Sequence, residues 1–169
     1  MLIIFSGLPG SGKTTIAREL ARQIEAVYVR VDSIEQAIRD SGIDNLTMYD
    51  SGYRVGYAVA EDNLRIGRTV VADSVNPLLV SRNGWTEVAN RARSSVMEIE
   101  IICSDLNEHR NRIETRIADI PGAKLPTWQN VNSHEYQPWD RQRIVIDTAV
   151  QDVEQSVNVL RAAIAARKG

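Results

Sequence analysis

The chain has 169 residues, 43% hydrophobic and 25% charged, a composition that suits a globular protein burying its core within one domain. A formal net charge of −2 argues against a dedicated nucleic-acid binder, which would carry a basic excess. Cys103 is the only cysteine, so no intramolecular disulfide can form, and no apolar run approaches the roughly 18–20 residues of a membrane span.

Leu2–Ser6 reads as a buried strand and Lys13–Ile24 as the first helix, with GLPGSGKT at residues 7–14 between them. This octet fills the pattern G-x-x-x-x-G-K-[ST], in the strand–turn–helix context that pattern needs to hold a phosphate. The loop residues Gly7, Leu8, Pro9, Gly10, Ser11, Gly12, Lys13, Thr14 and Thr15 are the candidate nucleotide cradle. Their glycines permit positive φ, and the exposed N–H groups and helix dipole face an anion. Lys13 is expected to bridge the β- and γ-phosphates of ATP, and the Thr14 hydroxyl to meet Mg²⁺. No basic segment and no cleavable spacer precede the loop, so the opening apolar residues do not read as a signal peptide. The chain reads as cytoplasmic, with no membrane partner.

Ala26–Val31 is the second predicted strand. Ser33–Arg39 is a short predicted helix, with Ser33 as N-cap and Gln36 in capping-box spacing. Tyr53–Leu64 is a longer helix that Gly67 ends, and Thr69–Ala72 a short apolar strand. Pro77 opens a helix through Val80, Trp85, Val88 and Ala92. Met97–Cys103 is the fourth strand, Asn107–Ile117 a charged helix, Arg143–Asp147 the fifth strand and Val153–Ala165 the closing helix. Such alternation predicts an α/β fold with a five-stranded parallel sheet covered on both faces, a three-layer α/β/α arrangement. Residues 117–142 break the alternation with Pro121, Gly122, Pro126, Trp128, Pro138 and Trp139, and read as a lid.

Ligands of such sheets bind beyond the carboxyl ends of the strands. Asp32, Asp73, Asp105, Asp147 and Thr148 fall there. Asp73 either holds Mg²⁺ through water or caps a helix; Asp32 either accepts a hydroxyl proton or caps one. Arg112 and Arg116 are four apart, so they share a helical face and either clamp the γ-phosphate or stay solvated beside Glu108 and Glu114. His109 and His134 lack ligand-like spacing and read as surface or capping residues. Trp128 and Trp139 either pack the lid or touch substrate, and Cys103 reads as inert core.

The loop GLPGSGKTT, the Asp after strand two, the Arg-rich helix before a lid and Val-Ile-Asp-Thr near the end resemble the small P-loop kinases. The nearest resemblance is to the bacterial kinases named AAA-type ATPases, and the chain is similar to chloramphenicol phosphotransferase, zeta toxins, gluconate kinase and adenylylsulfate kinase. Residues 1–169 would then form one P-loop kinase-like domain. The resemblance implies a sheet ordered 2-3-1-4-5, ATP with Mg²⁺, and a hydroxyl acceptor. It makes Asp32 the general base, gives Arg112 and Arg116 the lid role, and sets Asp147 and Thr148 beside the adenine. Arg39, Tyr49, Tyr53, Arg54, Asn76 and Arg82 are candidates for the acceptor pocket.

The sequence thus favours a small-molecule kinase acting as monomer or homodimer. A nucleotide-hydrolysing switch without an acceptor and a polynucleotide 5′-hydroxyl kinase are the alternatives. The latter is disfavoured because no basic run interleaved with aromatics is present.

Overall fold

The computed structural model describes residues 1–42 and 50–167. In chain order the elements are β1 (Leu2–Ser6), α1 (Lys13–Gln23), β2 (Val27–Arg30), α2 (Val31–Asp40), α3 (Ser51–Arg65), β3 (Val70–Asp73), α4 (Leu79–Arg91), β4 (Val96–Ile102), α5 (Leu106–Thr115), α6 (Trp128–Asn132), β5 (Ile144–Asp147) and α7 (Val153–Ala166). The strands form one parallel sheet ordered β2-β3-β1-β4-β5, the predicted 2-3-1-4-5. Among the described residues no helix is long and apolar enough to cross a membrane.

β1 is apolar from Leu2 to Phe5 because it lies at the centre, with β3 on one side and β4 on the other, and both of its faces are covered. Ile3 and Phe5 meet α1 and α7 through Ile16, Leu20, Val157 and Leu160. Leu2 and Ile4 point the other way, toward Ala60, Leu64, Trp85 and Val88 of α3 and α4. Each such buried side chain contributes about 1.5–3 kcal/mol, so the two cores fix the strand ends that carry polar residues.

Several boundaries differ from the sequence reading, and the differences bear on function. β2 stops at Arg30 and α2 begins at Val31, with no side-chain cap. Ser33 is therefore a third helical residue and not an N-cap. β3 includes Asp73, which pairs in register with Phe5 and Arg30. α5 ends at Thr115, and Arg116 is its extended C-cap (ψ 144°). The segment 117–142, expected to be irregular, contains α6, closed by a capping box between Thr127 and Asn130.

Two residues assigned to an acceptor pocket hold this frame together. Asn76 is fully buried; its amide donates to the Phe5 carbonyl (3.0 Å), and its Oδ1 accepts from the Trp85 indole (3.1 Å). Arg82 is also fully buried, donating to the carbonyls of Asn76 (2.9 Å), Pro77 (3.1 Å), Gln137 (2.8 Å) and Pro138 (3.2 Å). Its guanidinium lies over the Trp139 ring at 4.2 Å, and over Tyr136 at 5.0 Å. Arg82 thus staples the returning chain at 136–139 to the head of α4, and neither it nor Asn76 lines the cleft. Their capacity is spent on backbone groups, which periodicity could not foretell. Arg82→Met strands four carbonyl contacts and should lower stability by about 3 kcal/mol in urea melts. A loss under about 0.5 kcal/mol, the scale of an ordinary surface change, would show that the staple carries no weight.

Candidate active site

The loop between β1 and α1 is pressed onto its neighbours so closely that side chains are excluded. Gly7 has φ 141°, and a Cβ there would strike the Ile101 carbonyl. Gly10 has φ 79°, and a Cβ would come within 2.6 Å of Ile113 Cδ1. The loop backbone is left bare, and the α1 N-terminus opens behind it. Ser11 Oγ is buried without a hydrogen-bond partner among the described residues. From below, His109 Nε2 lies 2.8 Å from the Pro9 carbonyl, while its ring meets Trp128 edge-on at 5.4 Å. His109, expected at the surface, is buried because Gly10 leaves room for its ring beneath the loop.

Lys13 is tethered inward. Its Nζ donates to Asp73 Oδ1 at 2.8 Å, and the Tyr28 hydroxyl donates to Asp73 Oδ2 at 2.6 Å. Burial alone would raise the Asp73 carboxyl, but the Lys13 charge and these hydrogen bonds hold it below the usual carboxylate range. Tyr28 is pushed far above an ordinary phenol by burial and by the Asp73 charge.

In front of the loop lies a cavity of about 540 Å³. It is lined by the loop residues Leu8, Pro9, Gly10, Gly12, Lys13, Thr14 and Thr15, by Asp32, Glu35 and Arg39 of α2, by Arg112 and Arg116, and by much of the stretch from Ile117 to Pro126. Of the residues the sequence singled out, it gathers the loop, Asp32, Arg39, Arg112 and Arg116. Asp32 makes no cap; its side chain is 48% exposed and 3.9 Å from Arg30. Arg112 and Arg116 reach the cavity without sharing a helical face, since α5 has already ended at Arg116. Arg112 binds Glu108 (2.9 Å), Thr148 Oγ1 (2.7 Å) and the Thr148 carbonyl (3.1 Å).

The remaining candidates lie elsewhere. Tyr53 accepts from the Asn76 amide at 3.1 Å, and burial pushes its phenol up to about 12. Arg54 is exposed and paired with Asp50 at 2.7 Å. Tyr49 falls outside the described residues. Thr148 Oγ1 is 2.8 Å from the Ser11 carbonyl and borders a second cavity of about 310 Å³, with Gly12, Thr15, Gln151 and Asp152. Asp147 accepts from the Ser104 and Ala149 amides, both at 3.0 Å.

Sequence reasoning missed four polar residues. Arg30 is only 8% exposed and grips Asp119 with both terminal nitrogens, at 2.7 and 3.0 Å. Arg18 reaches the same carboxylate at 2.8 Å. Arg30 ends a strand beside Asp32, so the strand-end rule would have found it, as it would not have found Asp119 or Arg18. Tyr28 escaped because it reads as an ordinary strand aromatic.

A parallel 2-3-1-4-5 sheet with a bare glycine loop, a buried lysine and a strand-end aspartate defines a P-loop protein of small-kinase build. The chain matches the AAA_33 profile, an AAA domain, over residues 2–132, and belongs to that family. It is 21% identical to guanylate kinase of Nitrobacter hamburgensis, across 99% of this chain and 83% of that one. A solved Chloroflexus aurantiacus chain superposes with TM-score 0.77 at 21% identity, covering 98% of this chain and 96% of its own. The APS kinase CysC of Mycobacterium tuberculosis, bound to AMPPNP and APS, gives 0.73 at 17% identity, with 97% and 96% covered.

The Lys13–Asp73 pair yields a pH prediction. A carboxyl whose folded pKa is depressed stabilises the fold fully above its unfolded value, and that contribution fades as pH falls through the folded pKa. Without Lys13, burial dominates and Asp73 protonates more readily. Lys13→Met should therefore cost about 3 kcal/mol in urea melts at about pH 7, and the gap to wild type should narrow below about pH 4. A gap that is constant with pH would mean that Asp73 is not held ionised by Lys13.

Proposed function

We propose that this chain is an ATP- and Mg²⁺-dependent kinase that moves the γ-phosphate to a hydroxyl of a small molecule. The observation that carries this reading is the shared cavity, with a phosphate loop on one wall and the uncapped carboxylate of Asp32 on another. A hydrolytic switch has no use for an exposed, uncapped carboxylate at that spot. Cavity dimensions also favour a small acceptor over a polymer strand.

The loop amides and Lys13 bind the β- and γ-phosphates, with Lys13 exchanging its Asp73 contact for phosphate oxygens. Thr14 and Asp73 offer the hard oxygen donors that Mg²⁺ takes, and would hold it together with phosphate oxygens. When bound, Mg²⁺ supplies charge neutralisation on the phosphates. Asp32 accepts the acceptor's hydroxyl proton as the new O–P bond forms and the bond to the ADP oxygen breaks. Arg116 and Arg112 stabilise charge on the transferring group, Arg112 by releasing Thr148. Asp147, Thr148 and the second cavity take the adenine side. Residues 117–142 act as the lid of a single domain, a role supported by their share of the cavity wall. The cytoplasm, where ATP is made and a lone buried thiol stays reduced, is the proposed location.

A screen of hydroxylated metabolites for ATP-dependent phosphate incorporation tests the reading. With an acceptor found, Asp32→Asn should lower kcat by roughly 10²–10⁴ at nearly unchanged ATP affinity. Full turnover by that variant would remove Asp32 from the chemistry.

A further inference from the structure

The cavity wall opposite the phosphate loop holds a buried cation, Arg30, whose tightest partner among the described residues sits on a loosely tied segment. Arg30 is fixed at the end of β2, in register with Asp73. Its two terminal nitrogens grip the Asp119 carboxylate side by side, the fork that guanidinium makes with any planar or tetrahedral oxyanion. Its Nε is buried and has no hydrogen-bond partner among the described residues. Arg18 shares the same carboxylate, so two cations divide one anion. The next carboxylate, Asp32, stands 3.9 Å from Arg30, at the edge of ion-pair range.

Asp119 lies in the irregular stretch after α5. Its side chain is 41% exposed, against 7% for Arg30. Outside helices and strands, the described backbone hydrogen bonds of residues 117–126 reduce to one local turn, Ala123 to Ile120. The segment is thus held at this point chiefly by the carboxylate itself. The pairing with Arg30 and then Arg18 keeps that carboxyl far below its usual range, so it is an anion at all ordinary pH.

We propose that Arg30, with Arg18, is the binding site for an anionic group of the acceptor, a phosphate, sulfate or carboxylate, and that Asp119 occupies this site until the acceptor displaces it. The inference rests on the kinase reading and narrows it: the acceptor is an anionic hydroxyl compound. Because Arg30 and Asp32 are neighbours, the hydroxyl to be phosphorylated lies within a few bonds of the anionic group. Binding also frees Asp119, so the lid segment becomes mobile only when an acceptor with the right charge is present. An uncharged alcohol cannot displace Asp119 from Arg30, so it does not fill this site.

The test uses the full chain saturated with AMPPNP and Mg²⁺, so that the phosphate loop is filled. Sodium sulfate is titrated by calorimetry at constant ionic strength, with sodium chloride as the control. Wild type should bind one sulfate saturably. Asp119→Asn, which removes the internal competitor from an exposed position, should bind it about tenfold tighter. Arg30→Gln and Arg30→Lys should lose it, with folding checked by circular dichroism. Failure of Asp119→Asn to bind sulfate above the chloride control, or unchanged binding in Arg30→Gln, overturns the inference and leaves the kinase reading intact. Failure of AMPPNP to bind in the first step overturns both. A second arm replaces sulfate with acetate or glycerol phosphate, which separates carboxylate from phosphate acceptors. Equal affinity for uncharged glycerol also overturns the inference.

Discussion

The buried contact between Lys13 and Asp73 is the hinge on which the site turns. Lys13 opens α1 and Asp73 closes β3, so the 2.8 Å bond joins the phosphate loop to the strand beside β1. A buried ion pair is sustained only when its remaining valences are filled, and here the Tyr28 hydroxyl fills the second Asp73 oxygen. Removing one partner leaves an uncompensated charge, so the loop stays closed on Asp73 until another anion takes its place. In the proposed function, a nucleotide's phosphates are that anion.

Other contacts around the loop follow the same logic. Arg112 rests on Thr148, which in turn rests on the Ser11 carbonyl, linking α5, the end of β5 and the loop. His109 supports Pro9 from beneath and carries Trp128 of α6 on its ring. Arg30 holds Asp119. Arg112 and Arg30, two cations that line the cavity, are each parked on a protein acceptor. Such parking limits the cost of buried charge while no ligand is bound, and it makes binding an exchange of partners.

Much of this architecture was legible in the chain. The β1 run LIIFS next to GLPGSGKT read as a strand feeding a phosphate loop, the alternation of strands and helices implied a parallel sheet, and the strand order came from the resemblance to P-loop kinases. The strand-end rule singled out Asp32, which lines the cavity, and Asp73, which is buried against Lys13. The acceptor pocket was read less well. Arg82 and Asn76 look like pocket residues in sequence, yet both are buried on backbone carbonyls and on Trp85, contacts that depend on residues 136–139 returning across α4. Arg116 was placed on a helix that stops one residue short, and the Arg30–Asp119 clamp spans 89 positions with no local signal.

The central claim is that the loop is built for a polyphosphate and that Lys13 trades Asp73 for it. The affinities of AMPPNP and of AMP, each with Mg²⁺, test it directly in wild type and Lys13→Met. Wild type should prefer AMPPNP by about 100-fold or more, and the variant should lose most of that preference. Equal affinity of wild type for the two nucleotides, or an undiminished preference in Lys13→Met, would contradict the account.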